Sequence, residues 1–63
     1  MSMGTVVSIK HGRKDPSNLY IKLKGKAVYR YPRPLSKGQQ LQLVSKIQNN
    51  NRRVQLKHWQ KIR

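Results

Sequence analysis

The stretch "LYIKLK", residues 19–24, alternates apolar and polar side chains without a break. A strand sends successive side chains to opposite faces, so Leu19, Ile21 and Leu23 share one face and Tyr20, Lys22 and Lys24 the other. Related short runs recur along the chain: the β-branched "TVVSIK" (5–10), then "KAVYRY" (26–31), "QQLQLVSKIQ" (39–48) and "RRVQLKHW" (52–59). Turn-forming residues separate them. Gly12 and the Asp15-Pro16 step mark a loop over 11–18, and Gly25 supplies a tight turn. Pro32 and Pro34 remove ladder donors, so 32–38 reads as a connection. Asn49, Asn50 and Asn51 read as a hairpin tip, because asparagine tolerates positive φ. The final "QKIR" reads as a short turn that docks Trp59 or Ile62.

This pattern predicts five short strands and no helix. A helix over 39–48 is the rival, since Leu41, Val44 and Ile47 recur every third residue. The Gln-Leu alternation, the asparagine triplet and a matching strand beyond it favour the hairpin. In that reading Val54 and Leu56 point inward against Leu41 and Leu43. Five short strands hide their edges best in a closed sheet. The expected fold is therefore all-β, a small five-stranded SH3-like barrel formed by one domain spanning residues 1–63. An OB-like barrel is the alternative. It would place a helix between strands three and four, where this chain offers only the proline-containing 32–38.

Composition limits what such a barrel can do. A chain of this length buries only about 60% of the surface its unfolded form exposes, which leaves a thin margin of stability. No cysteine is present to brace it or to hold zinc, and His11 and His58 are too few for a structural metal site. No metal or other cofactor is expected. Fifteen Lys and Arg face a single acid, Asp15, for a net charge of +14. Almost no internal ion pair can offset that repulsion, whereas a polyanion would relieve it and release counterions on binding. The alternating apolar residues set the chain apart from a disordered basic tail.

Candidate contacts follow from the faces. Lys22, Lys24, Lys26 and Arg30 would form one basic strand pair, and Arg52, Arg53 and Lys57 a second. Tyr20 lies among lysines, where its ring can stack on a base or its hydroxyl bond a phosphate. Arg53 and Gln55 are residue types that read base edges as well as phosphate. Trp59 is either a stacking or wedging group or a cap on the open end of the barrel. Tyr29 and Tyr31 share a face that is either core or binding surface. Lys10, Arg13 and Lys14 in one loop, and Arg33 and Lys37 in another, could clamp a backbone. "KGKAVYRY" (24–31) matches an RNA-binding octapeptide at Lys24, Gly25, Ala27 and Tyr31, but Lys26 and Val28 stand where its stacking aromatics belong. It reads as a basic hairpin outside that family.

Catalysis has no support. One carboxylate makes no acid/base pair, and there is neither a cysteine nucleophile nor a glycine-rich phosphate loop. "MSMGTVVSIK" lacks the apolar core of a signal peptide, and no stretch approaches a membrane span, so a cytoplasmic chain is expected, nucleoid-associated if it binds DNA. The expectation is a non-enzymatic nucleic-acid-binding protein that grips phosphate and acts as a small regulator or nucleoid-type factor. Duplex DNA is favoured because the aromatics are few for a single-strand platform. RNA, including a ribosomal setting, is the alternative, and an acidic protein partner a further one. Neither a membrane nor a small-molecule substrate is expected.

Overall fold

In the computed structural model, which describes residues 2–63, the chain forms a five-stranded antiparallel sheet curled into a half-barrel, with one α-helix. The strands are β1 (Met3–His11), β2 (Leu19–Leu23), β3 (Val28–Arg30), β4 (Arg53–Gln55) and β5 (Gln60–Lys61), in the order β4-β1-β2-β3-β5. The helix α1 (Lys37–Asn49) connects β3 to β4, and a single 3-10 turn (Leu56–His58) connects β4 to β5.

β1 is the long element that bends the sheet. Its first residues pair with β4 (Gly4 opposite Val54, Thr5 opposite Arg53), and the rest pairs with β2 from Val6 to His11. A bulge between Val6 and Ser8 marks the change. The extra residue, Val7, is turned out and 49% exposed. Such an insertion bends a strand and increases its twist, which lets one strand serve both halves of a curled sheet. β2 behaves as its alternation predicts: Leu19, Ile21 and Leu23 are buried, while Lys22 is exposed and Tyr20 half-buried on the opposite face.

The core joins those three residues to Val6, Leu35, Ile47, Val54 and Trp59. Tyr29 and Tyr31 pack against it, which answers the question their shared face left open. Tyr31 meets Trp59 edge to face, with centroids 5.0 Å apart, and the Arg33 guanidinium lies 5.6 Å from the Tyr31 ring centre. Aromatic edge-to-face pairs add about 0.5–1.5 kcal/mol beyond area burial. The proline-containing connection carries one anchor, Leu35. It is buried, and its amide donates to the Ser17 carbonyl.

Residues 39–48 overturn the expected hairpin: they are helical. Ser36 caps the helix, its hydroxyl accepting from the Gln39 amide at 3.3 Å while Gln39 Oε1 accepts from the Ser36 amide at 3.0 Å. This reciprocal box satisfies two otherwise orphaned amides. The buried face runs Gln40, Leu43, Val44, Ile47, the 3-4 spacing of a helix. Leu41, expected inward, is 73% exposed. The asparagines still supply positive φ, at Asn51, but they end a helix instead of turning a hairpin. The Arg52 amide donates to the Ile47 carbonyl at 2.8 Å and the Asn51 amide to Gln48, closing the helix C-terminus. The expected last strand (52–59) is shorter than predicted, and "QKIR" contributes β5 in place of a turn.

Candidate nucleic-acid interface

Strand register decides which cations meet. On the outer face, Lys10 of β1 lies opposite Tyr20 of β2, Tyr20 opposite Arg30 of β3, and Arg30 opposite Gln60 of β5. The last pair is joined by a hydrogen bond from Arg30 Nη2 to Gln60 Oε1 at 3.1 Å. The next row is Ser8, Lys22 and Val28. Beyond it the Lys24 amide donates to the Thr5 carbonyl at 2.9 Å, and Thr5 lies opposite Arg53. Neighbouring strands are about 4.8 Å apart, and alternate residues along a strand about 6.6 Å. Two paired rows therefore set Lys10, Arg30 and Lys22 on one sheet face, with Lys24 in the turn at its edge and Arg53 across the β1 bulge, where it lines a groove with Gln55 and His58. The inner faces of the same strands hold Ile9, Ile21 and Tyr29, whose row ends at the exposed Lys61.

The hairpin between β2 and β3 adds a cation to this face. The Leu23 amide donates to the Ala27 carbonyl and the Lys26 amide to the Leu23 carbonyl, so Lys24, Gly25 and Lys26 make the loop. Gly25 and Lys26 both have positive φ, 98° and 71°. For lysine this is an unfavourable backbone, costing on the order of 1 kcal/mol. The side chain lines a shallow concavity of about 290 Å³ together with Lys10, Tyr20, Lys22, Val28 and Arg63. Arg63 is fixed there through its backbone, which exchanges hydrogen bonds with Val28.

Arg13 and Lys14 sit in the β1–β2 loop, which is drawn tight. The Gly12 amide donates to the Asn18 carbonyl and the Asn18 amide to Asp15. A side chain at Gly12 would bring its Cβ within 2.5 Å of the Asp15 carbonyl oxygen. The lone acid is spent within this loop. The Ser17 hydroxyl donates to Asp15 Oδ1 at 2.6 Å and the Ser17 amide at 3.1 Å, and these two bonds hold the carboxyl below its ordinary pKa.

The structure thus gathers Tyr20, Lys22 and Arg30 on one face with Lys24 and Lys26 in the turn beside it, whereas Arg53 lies beyond the bulge on the side of β4 it shares with Gln55. The remaining candidates stand apart. Arg52, also at positive φ (62°), lines a separate groove between the β1 bulge and α1, with Val7, Val44, Ile47 and Gln48. Gln55 pairs its side-chain oxygen with His58 Nε2 at 3.2 Å, and Lys57 is exposed on the 3-10 turn. Trp59 is 8% exposed and packed in the core, which takes its ring faces away from a stacking role. Lys10 belongs to β1, not to the loop, and joins the face. Arg63 joins it with no signal in the sequence to announce it. Among the described residues, no cluster of three His, Cys, Asp or Glu side chains is placed to hold a metal, and no helix is long and apolar enough to cross a membrane.

No known protein family, no curated protein and no solved structure matches the chain.

Proposed function

We propose that this protein binds nucleic acid through the phosphate backbone, with duplex DNA the preferred form, and that it acts as a regulator or nucleoid-type factor without catalysis. The observation that carries the reading is the outer sheet face. Lys10, Lys22 and Arg30 share it with Lys24 and Lys26 in the turn beside them, and the chain's one acid is engaged with Ser17 in a loop. A surface of this kind favours an extended polyanion over a single charged group. Duplex is preferred because stacking surfaces are scarce. Trp59 is buried and Tyr29 and Tyr31 pack on the core, so Tyr20 is the aromatic left on the basic face. A single-strand platform uses successive aromatics.

A second reading has its own support. The helix lies between β3 and β4, the position that distinguishes an OB-like barrel, and we infer that variant over the SH3-like one. OB-like barrels use the face of their second and third strands to bind oligonucleotides. Here that face carries Tyr20, Lys22 and Arg30, which favours single strands or RNA.

Fluorescence anisotropy with duplex DNA, single-stranded DNA and duplex RNA across a salt series tests both. About five duplex phosphate contacts give log K a slope near −4 to −5 against log salt. Lys22→Ala with Lys24→Ala should flatten that slope by about two and weaken all sequences alike. A slope near zero for every nucleic acid would overturn the proposal and turn attention to an acidic protein partner.

A further inference from the structure

The basic face is not uniform: one spot on it is built differently. Val28 points outward in the Ser8–Lys22–Val28 row, an aliphatic side chain on a face that otherwise carries cations, Tyr20 and polar groups. It forms part of the concavity of about 290 Å³ already described. Tyr20 borders the same hollow and is half-buried. Lys10, Lys22, Lys26 and Arg63 stand around the two apolar surfaces. The backbone is pinned at two of these residues: Lys26 adopts a left-handed conformation, and Arg63 exchanges hydrogen bonds with Val28. Backbone strain persists where the surrounding structure over-determines it, and it concentrates at binding sites.

An apolar surface ringed by positive charge suits a ligand that is flat, apolar on its faces and attached to an anion. A nucleotide has that chemistry. The volume lies at the small end of ligand pockets, about 300–1,000 Å³, and suits one base with its phosphate, not a stacked run. We infer that this hollow takes a single unstacked nucleotide, the base against Tyr20 and Val28 and its phosphate among Lys10, Lys22, Lys26 and Arg63. The inference rests on the nucleic-acid reading and deepens it. The target is a duplex carrying one extrahelical nucleotide, as at a bulge or a one-base overhang. The flanking phosphates are held by the rest of the face, and no second aromatic on that face waits for a second base. An unpaired base is the cheapest to extract, because its pairing energy is already absent.

The test compares a blunt duplex, the same duplex with a one-nucleotide bulge, and a bulge bearing an abasic residue. The bulged duplex should bind about tenfold tighter than the other two, the gain expected of one base–aromatic stack. Tyr20→Ala should erase that preference while leaving the salt slope unchanged, and Tyr20→Phe should keep it. Thermal melts of both variants control for folding. Should Tyr20→Ala unfold the chain, Lys26→Gly is the second variant. It relaxes the strained backbone and removes one cation of the ring, and it should reduce the bulge preference. Equal binding of bulged and blunt duplex with a steep salt slope would overturn the pocket and leave the phosphate-binding function intact. A bulge preference that survives at the abasic site or in Tyr20→Ala would also overturn it. A flat salt slope for all three ligands would instead overturn the function itself.

Discussion

Gln40 is the residue that fastens α1 to the loops beside it. It lies on the buried face of α1, 6% exposed, and its side-chain amide donates to the Pro16 carbonyl at 2.8 Å and the Leu35 carbonyl at 3.2 Å. One side chain thus ties the β1–β2 loop and the proline-containing connection to the helix. A buried amide is costly unless bonded, and here both of its protons are used. Gln40→Ala leaves two carbonyls without their donor and opens a cavity. The expected loss is about 1–3 kcal/mol, a fall in Tm of several degrees in a thermal circular-dichroism melt of a domain this size. Gln40 also hid the helix. The stripe Gln40, Leu43, Val44, Ile47 has the right period, but its first member is polar, and the exposed Leu41 supplies a false period of two with Leu43.

At the level of elements, local chemistry was legible and its assignment to an element was not. The faces of β2 could be read directly, because Leu19, Ile21 and Leu23 are unbroken by exception. The asparagine triplet correctly implied positive φ, yet positive φ serves a helix C-terminus as well as a hairpin. The decisive signal was Ser36 with Gln39 three residues on, a capping box in plain sequence. Ser36→Ala should cost about 1 kcal/mol. A lower Tm with an unchanged far-ultraviolet spectrum at low temperature is the expected outcome, since Leu43 and Ile47 still seat α1. The candidate site divides the same way. The outward pair Tyr20 and Lys22 is a property of one strand and could be read from it. Its junction with Lys10, Arg30 and Arg63 depends on strand order and register, which no local pattern encodes.

For the whole molecule, charge and topology set the behaviour. With a net charge of +14 the folded state concentrates repulsion that the unfolded chain spreads out. Screening should therefore stabilise it, and Tm should rise between low salt and about 0.15 M, where the Debye length is about 8 Å. A Tm that is flat or falling with salt would show that the cations are better separated than the shared face implies. The pairing of β1 with β4 has a consequence of another kind, for the order in which the chain assembles. Met3 lies opposite Gln55, about fifty residues away, whereas β1, β2 and β3 form a meander of neighbours and α1 needs only its own turns. Local contacts close quickly and distant ones slowly. The meander, and with it the Lys10–Tyr20–Arg30 row, can therefore form before β4 closes on the first residues of β1. The outer row is then assembled ahead of the closure that supports it, so it can be present in a chain whose first residues are still unpaired.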